Sequence, residues 1–455
     1  MDALTRLRSV LAVAVLAAVP FMATAAPPPE RLSVEQLRQD LDVVAATLRE
    51  QHPDIAHSIA PAELDRALAD LRRDLRRPLT REQAWLRLAE LNPRLADAHV
   101  SIGYPDWRGL AKAQQAAGPG WFPFEVRIDP DTQQLFVAAE LGGGASDQAR
   151  ARIVRIDGVD SRVVVRRLLK LVHGDTPAFR ARLLQDRWFY YYWRAYGEPA
   201  TFRIVLDRAG AKPLSVAAAK RTPAALAVAD DFERSFRFEV RPGGDAVLTI
   251  ASFVWPDRER FFAFTDDAFA RIKRESVRRL LIDVRDNGGG DDELWTRGIL
   301  RHIATRPYRT GSTYRKRVLE KFRSGDEVVG QVVRGEKTST IEPERDDPLH
   351  FDGELIVLVG AATYSSSVLF ANTVQDYRFG RIAGARGGIV RSRQSGNVQE
   401  TRLPNSDLRL YWPRFVLDRP LPRDSIWLQP DVIVRDDPFD PEAAIAELLT
   451  PRAAP

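Results

Sequence analysis

The sequence contains no cysteine among its 455 residues. This absence excludes disulfide bridges, thiolate catalysis, cysteine-based zinc fingers and iron–sulfur clusters. It also excludes the lipidated cysteine by which a bacterial lipoprotein is anchored. Any nucleophile in this chain must therefore be something other than a thiolate.

A strong excess of charge of one sign is also absent. Lysine and arginine number 67 and aspartate and glutamate 62, which leaves a formal net charge of +5. The basic residues form no dense block, whereas a nucleic-acid-binding protein concentrates its positive charge on one face or helix. We therefore expect no nucleic-acid partner. The proportions of hydrophobic and charged residues, 44% and 28%, are those of a globular protein, and the length fits two or three domains.

The chain has few long apolar runs, and the clearest lies near its N-terminus. Arg6 and Arg8 precede an apolar run over residues 10–22, and small residues and three prolines follow it. The run is shorter than the roughly 20 residues needed to span a bilayer, which disfavours the alternative of a membrane anchor. The pattern predicts a signal peptide over residues 1–25. The mature protein is expected to be periplasmic or secreted, without stable membrane insertion.

The remaining sequence divides into three parts by its periodicity. Leucines at helical spacing predict an N-terminal helical region over residues 27–115. Short strands with one or two helices predict a small α+β middle module over residues 116–225, in which the aromatic run 188–193 is expected to serve packing. Strands and helices alternate over residues 226–450, which predicts an α/β core segment with a largely parallel sheet.

A glycine-rich turn follows a predicted buried strand of the core segment. The strand covers residues 279–284, the glycines are Gly288–Gly290, and a helix is predicted over residues 291–304. Backbone N–H groups there could hold a phosphate or a transient oxyanion, or the turn could be ordinary architecture. A phosphate site is disfavoured because no P-loop lysine follows and acidic residues occupy positions 291–293.

A second strand–turn–helix junction carries serine at position 365. Ser365 could be a helix N-cap or a nucleophile that projects from the turn. A nucleophilic serine needs a base, and no lysine follows Lys337. His99, at a predicted loop-to-strand junction, is either a polar edge residue or that base.

Together these segments resemble peptidase family S41, the tail-specific and tricorn-core serine proteases. The resemblance covers most of residues 30–445 and rests on motifs that occur in the order of the family: Asp97-Ala98-His99, Asp283-Val284-Arg285-Asp286-Asn287-Gly288-Gly289-Gly290, Thr363-Tyr364-Ser365-Ser366-Ser367, Leu403-Pro404-Asn405-Ser406 and Gln429-Pro430-Asp431-Val432-Ile433-Val434.

The resemblance implies a serine-type peptidase that acts on a peptide or an unfolded protein. Ser365 would be the nucleophile, and the backbone N–H groups of Gly289 and Ser366 would form the oxyanion hole. The fold implied is an α/β catalytic core of the ClpP/crotonase type over the core segment, with a PDZ-like middle module. No metal or cofactor is implied.

Two further site assignments follow from where the sequence departs from the family. The tail-specific branch places a lysine about two dozen residues after the serine, but residues 384–393 contain none. The chain therefore resembles the branch with a histidine base, which implies that His99 is the base and that Asp424 is the candidate acid that orients it. The alternative is a catalytically inactive protein of the same fold that binds a peptide or a small apolar ligand.

The middle module is expected to bind an extended peptide by strand addition. Its candidate carboxylate-binding loop, residues 120–124, contains Pro123, which has no N–H to donate. The module could therefore have lost recognition of C-terminal carboxylates and serve only to brace the core segment.

Overall fold

The computed structural model describes residues 30–208, 212–229, 231–344, 346–387 and 389–450. The signal peptide expected at residues 1–25 lies outside these ranges. Among the described helices, none is both long and apolar enough to cross a membrane. The described residues form a mixed α/β fold with three sheets.

The N-terminal helical region packs a leucine-rich face against itself and its neighbours. Helix α1 begins with a capping box, in which the Ser33 and Gln36 side chains each accept a hydrogen bond from the other's backbone N–H. A 3-10 turn, Ala89–Leu91, follows α4. The elements are α1 (Val34–Glu50), α2 (Ile55–Ser58), α3 (Pro61–Asp74), α4 (Arg81–Leu88), α5 (Asn92–Leu95), β1 (Ser101–Gly103) and α6 (Trp107–Ala117).

The middle module is an antiparallel sheet with three helices. Its strand order is β2-β3-β4-β6-β7, and the short β5 pairs with β4. The elements are β2 (Phe124–Ile128), β3 (Leu135–Glu140), β4 (Arg152–Ile156), β5 (Val159–Asp160), α7 (Ser161–Leu169), α8 (Pro177–Asp186), α9 (Trp188–Tyr196), β6 (Thr201–Leu206) and β7 (Leu214–Ala217).

The aromatic run forms most of α9 and is buried on several sides. Tyr190 meets Trp107 with ring centroids 5.6 Å apart, and Tyr191 stacks on Trp85 at 6.1 Å, so one side faces the N-terminal helical region. Phe189 meets Trp121 of the middle module at 5.3 Å. The expectation that these rings serve packing is therefore confirmed.

The core segment contains a six-stranded sheet of order β17-β14-β13-β10-β9-β8. Only the β8–β9 pair is antiparallel, so the expected largely parallel sheet is confirmed. Its elements are α10 (Ala224–Ala229), α11 (Phe232–Ser235), β8 (Phe236–Arg241), β9 (Asp245–Ile250), α12 (Arg258–Arg274), β10 (Arg279–Asp283), α13 (Asp292–Gly298), β11 (Thr313–Arg317), β12 (Val332–Glu336), β13 (Glu354–Leu358), α14 (Ser366–Asp376), β14 (Arg381–Gly384), β15 (Gln394–Arg402), β16 (Arg409–Leu417), β17 (Val432–Ile433) and α15 (Pro441–Leu449). Further 3-10 turns are Leu300–His302 and Glu320–Phe322.

A third sheet joins the N-terminal helical region to the core segment. Strand β1 pairs antiparallel with β16, which also pairs with β11 and β15. His99 lies two residues before β1, and β15 begins at Gln394. This sheet therefore brings the turn that carries His99 next to the start of β15, although nearly 300 residues separate them in the chain.

Candidate active site

Ser365 occupies the sharp turn between β13 and α14. Its backbone has φ 53° and ψ −125°, a strained combination for a residue with a side chain. It stands at the N-cap position of α14, but its hydroxyl makes no capping hydrogen bond. The side chain is partly exposed. The turn therefore holds the Ser365 hydroxyl at the surface, as the nucleophile elbow of serine hydrolases holds its serine.

The two serines that follow are not available in the same way. Ser366 is buried, and its hydroxyl donates to Asp292 and accepts from the Trp295 indole N–H at 2.9 Å. Ser367 is fully buried, and its hydroxyl has no hydrogen-bond partner. Of three consecutive serines, only Ser365 can reach a substrate.

Hydrogen bonds to three separate segments fix the turn around Ser365. The Thr363 hydroxyl donates to the Val284 carbonyl at 2.7 Å, at the end of β10. The Tyr364 N–H donates to the Asn287 carbonyl at 3.0 Å. The Ser365 N–H donates to Gln394 Oε1 at 2.9 Å, at the start of β15. The register of the turn is thus set by the glycine turn on one side and by β15 on the other.

His99 is held by a relay that ends on a buried carboxylate. Its Nδ1 lies 2.8 Å from Ser395 Oγ, and Ser395 Oγ donates to Asp97 Oδ1 at 2.9 Å. A hydroxyl that donates to an ionised carboxylate can only accept from the imidazole, so Nδ1 carries the hydrogen. The lone pair of His99 is therefore on Nε2, which is the tautomer that a general base requires.

The protonation states of this relay suit base catalysis near neutral pH. Burial lowers the pKa of His99, which the charge of Asp97 only partly offsets. Burial also disfavours the charged form of Asp97, but the facing His57, His99 and His52 side chains and the His99 backbone N–H outweigh it, so the pKa of Asp97 lies below its usual range. At neutral pH we therefore expect an uncharged His99 beside an ionised Asp97.

Tyr364 connects this relay to the Ser365 turn. Its hydroxyl lies 3.2 Å from Asp97 Oδ1 and 2.8 Å from Asp175 Oδ1, and it accepts a 3.1 Å bond from the Ala98 N–H. Burial and the charge of Asp97 raise the pKa of Asp175 to about 7. The residue next to Ser365 is therefore bonded to both residues that precede His99.

Ser365 and His99 are neighbours but not hydrogen-bonded partners. The His99 ring packs on the Tyr364 ring at a centroid distance of 5.0 Å. Among the described residues no hydrogen bond joins the Ser365 hydroxyl to His99. Catalytic hydrogen bonds are often long without substrate and tighten when it binds.

Asp424 does not join this group. It is exposed, and within the described part of the chain it makes no hydrogen bond or ion pair with His99. The carboxylate that faces His99 is Asp97, whose Oδ1 lies 3.8 Å from His99 Nδ1. The expectation that Asp424 orients the base is therefore corrected, because an exposed carboxylate that does not contact His99 cannot fix the orientation of its ring.

The two expected oxyanion donors differ in their present hydrogen bonding. Ser366 is the first residue of α14, and its N–H has no acceptor among the described residues. The Gly289 N–H donates to Asn287 Oδ1 at 2.9 Å. Gly289 nevertheless lies against the turn that carries Ser365, since a Cβ built on it would be 2.6 Å from the Ser365 Cβ. The Ser366 N–H is free to bind an oxyanion, whereas the Gly289 N–H would first have to leave Asn287.

A second group of histidines lies behind Asp97. Ser58 Oγ donates to Asp97 Oδ2 at 3.0 Å and lies 3.3 Å from His52 Nε2. His57 Nε2 lies 3.8 Å from the same carboxylate oxygen. Burial lowers the pKa of both histidines to about 4. In the described residues no cluster of three or more histidine and carboxylate side chains is arranged to hold a metal ion.

Sequence reasoning missed several residues of this site. Asp97 stands in the motif Asp97-Ala98-His99, so the sequence carries a signal for it. Ser395, Gln394 and Asp175 had no signal, because each contacts the site through a chain separation that no local pattern records.

Comparison with known proteins gives a family and a fold. The family model described as Peptidase family S41 matches residues 246–406. The structure of mature CPAF complexed with lactacystin is similar with a TM-score of 0.63 and 12% identity, over 91% of this chain and 97% of that one. The crystal structure of mature CPAF has a TM-score of 0.62 and 12% identity, over 91% of this chain and 96% of that one. The photosystem II D1 C-terminal processing protease has a TM-score of 0.46 and 18% identity, over 90% of this chain and 96% of that one.

No curated protein matches the chain by sequence. At 12% identity, the likeness to CPAF shows that this chain has the same fold over most of its length and nothing finer. The resemblance expected from the sequence is therefore confirmed for residues 246–406, which include the glycine turn and Ser365 and match the model of Peptidase family S41.

Proposed function

We propose that this chain is an exported serine peptidase that hydrolyses peptide bonds through an acyl-enzyme on Ser365. The observation that carries the proposal is the Ser365 turn itself. A strained turn holds a hydroxyl that caps nothing, next to a histidine whose Nε2 lone pair is left free. Strain of about 1–3 kcal/mol persists where the surrounding structure enforces it, and such sites are often functional.

In the first step, Ser365 Oγ attacks the carbonyl carbon of the scissile peptide bond and His99 Nε2 takes its proton. The imidazolium that forms keeps its Nδ1–H on Ser395, and the negative charge of Asp97 stabilises it at the other end of the relay. Asp97 does not need to take up the proton itself.

The tetrahedral intermediate places a negative charge on the former carbonyl oxygen. The Ser366 N–H at the start of α14 supports its stabilisation, because it lacks an acceptor and lies at the positive end of the helix. Gly289 would add a second donor if its N–H turned away from Asn287.

Protonated His99 then donates its proton to the leaving amine, and the peptide bond breaks. This leaves the acyl group esterified to Ser365 Oγ. Water attacks this ester while His99 takes one of its protons, and His99 then returns that proton to Ser365 Oγ as the ester bond breaks, which releases the second product and restores the free hydroxyl. Besides the substrate and one water molecule, these steps use side chains and backbone groups of this chain.

The test of this function is cleavage of unfolded casein by the purified protein. Ser365→Ala should lower the rate by several orders of magnitude. Ser367→Ala is the matched control: it removes a buried hydroxyl that has no partner, two residues away, and should leave activity intact. Cleavage that persists in Ser365→Ala would exclude Ser365 as the nucleophile.

A binding protein without catalysis is the second candidate. Two observations favour it: the Gly289 N–H is bonded to Asn287, and Ser365 is not bonded to His99 among the described residues. In that case the wild type would bind casein peptides without cleaving them, and Ser365→Ala would bind them equally well.

We also propose that residues 1–25 direct export, that the core segment is of the ClpP/crotonase type, and that the middle module is PDZ-like and binds a peptide strand.

The sheet of the middle module has two edge strands, β2 and β7. Helix α8 lies beside β2, where the Ile128 N–H donates to Gln185 Oε1 at 3.3 Å, so β7 is the more open edge for a peptide strand. The Trp121 N–H donates to the Ala219 carbonyl, which leaves it unavailable to a carboxylate.

Titration of the Ser365→Ala protein with peptides that bear free or amidated C-termini tests the module. Equal affinity supports strand addition without tail recognition. Absence of binding to both would leave only the bracing role.

A further inference from the structure

A cavity of about 600 Å³ lies between the N-terminal helical region and the middle module. One wall is a single face of α7 and its C-cap, formed by residues at positions i, i+3, i+4 and i+7: Val163, Arg166, Arg167 and Lys170. The opposite wall repeats this spacing on α4 and the 3-10 turn after it: Gln83, Leu86, Arg87 and Glu90. Two helical faces from different parts of the fold thus face each other across one cleft, which we call the basic cleft.

Positive charge dominates the basic cleft. Its only carboxylates among the described lining residues are Asp74 and Glu90, and Arg87 pairs with both, at 3.9 Å and 3.2 Å. Five further cations line the cleft and form no ion pair with any described residue: Arg76, Arg77, Arg166, Arg167 and Lys170. Like charges gathered in a concave site create a strong positive potential that an anionic ligand would relieve.

Aliphatic side chains also line the basic cleft. Leu79 and Leu171 are buried, whereas Leu86 and Val163 are more exposed. A ligand that fills the cleft must therefore present aliphatic groups as well as negative charges. A flat lipid surface could meet the exposed arginines but could not reach the buried Leu171. A polypeptide segment with alternating acidic and aliphatic side chains meets both requirements.

We propose that the basic cleft is a docking site for an acidic, aliphatic segment of a polypeptide, separate from Ser365. The α7 wall continues through Leu171 to His173 and Asp175, and Asp175 bonds to the Tyr364 hydroxyl. A segment bound in the cleft would thus lie on the same connection that supports the nucleophile turn. The proposal extends the peptidase function proposed above, in which the docked chain is a substrate.

Binding is measured on the Ser365→Ala protein, so that it does not depend on whether Ser365 is a nucleophile. The probe is a fluorescent peptide of alternating glutamate and leucine, and the comparison peptide alternates lysine and leucine. Fluorescence anisotropy should show binding of the acidic peptide alone, weakened by salt.

The cleft variant is Arg166→Glu/Lys170→Glu, which reverses two exposed charges on α7. It should raise the Kd for the acidic peptide at least about 10-fold. The matched control, Arg155→Glu/Arg203→Glu, makes the same change of charge on exposed positions of β4 and β6 in the same module and should leave the Kd unchanged.

Equal Kd values for the two double variants would overturn the proposal. Vesicles of an anionic phospholipid serve as a competitor. If the cleft variant loses vesicle binding and no variant binds the peptide, the cleft is a lipid site and the proposal is wrong.

Discussion

Asp97 is the side chain on which the candidate base depends most. Replacing it by asparagine keeps the shape but removes the charge that stabilises protonated His99. We expect Asp97→Asn to lower kcat/KM by about 10²- to 10⁴-fold. Because the charge of Asp97 raises the pKa of His99, its loss should lower that pKa further and move the acidic limb of the pH profile of kcat/KM to lower pH.

The control for this prediction is Asp424→Asn, at the exposed carboxylate first expected to orient the base. Its activity and pH profile should match those of the wild type. A large loss in Asp424→Asn together with full activity in Asp97→Asn would contradict the relay.

Individual residues were predictable where a local motif carries them. Ser365 and His99 stand in short segments that resemble family motifs, and the structure brings both segments to one place. Ser395 could not be found in this way, because it meets Asp97 across 298 positions and lies in a strand without a distinctive pattern. The acid was misassigned to Asp424 because sequence shows neither burial nor distance.

The glycine turn after β10 gives a prediction at the level of an element. Gly289 has φ +99°, and a Cβ on it would lie 2.6 Å from the Ser365 Cβ and 2.7 Å from the Tyr364 carbonyl oxygen. Gly289→Ala should therefore displace the nucleophile turn and abolish most peptidase activity. Steady-state cleavage assays and a thermal unfolding midpoint would separate this loss from unfolding.

Gly288→Ala is the matched control, one position earlier in the same turn. A Cβ on Gly288 meets no atom within 4 Å, so activity should remain within a few-fold of wild type. If both alanine variants kept full activity, close contact between the glycine turn and the nucleophile turn would not matter for function.

Secondary-structure elements were predictable where periodicity and end signals agree. Leucines at helical spacing predicted helices in the N-terminal helical region, and α1 is one of them, begun by the Ser33 capping box. The helix expected over residues 291–304 ends at Gly298 and is followed by a 3-10 turn. Gly298 packs so closely on Phe261 that a Cβ would lie 2.8 Å from the ring, a tertiary contact that no local pattern shows.

At the scale of the whole molecule, a buried histidine of the N-terminal helical region makes the stability of the fold depend on pH. The pKa of His52 is about 4 in the folded protein, below the ordinary value of 6.5. The unfolded chain therefore binds a proton below pH 6.5 while the folded protein does not, so stability is complete above 6.5 and is lost as the pH falls towards 4. Through His52 alone, the free energy of unfolding should fall by about 2 kcal/mol between pH about 7.5 and pH about 5.

His52→Gln tests this contribution, since an amide can accept from the Asp54 N–H and donate to Ser58 as the neutral ring does. Urea unfolding should show a smaller loss of stability on acidification for the variant than for the wild type. His350→Gln, at a surface histidine beside Asp352, should behave as the wild type does. An equal loss of stability on acidification in His52→Gln and the wild type would show that the buried His52 ring does not cause the pH dependence.

Contacts between segments far apart in the chain were the feature least predictable from the sequence. The parallel sheet and its two strand–turn–helix junctions could be predicted from the sequence pattern, and the family resemblance implied that Gly289 lies near Ser365. The pairing of β1 with β16 could not, because three residues of strand carry too little pattern. That pairing places His99 beside β15, so the position of His99 depends on contact between segments far apart in the chain.

The central claim is that Ser365 is an activated nucleophile, and covalent labelling by a fluorophosphonate probe tests it most directly. Near neutral pH, mass spectrometry of the labelled protein should find one adduct, on Ser365, in the wild type and in Ser367→Ala, and none in Ser365→Ala. Asp97→Asn should label far more slowly than the wild type. Equal labelling of Ser365→Ala and the wild type, or an adduct on any other serine, would contradict the account.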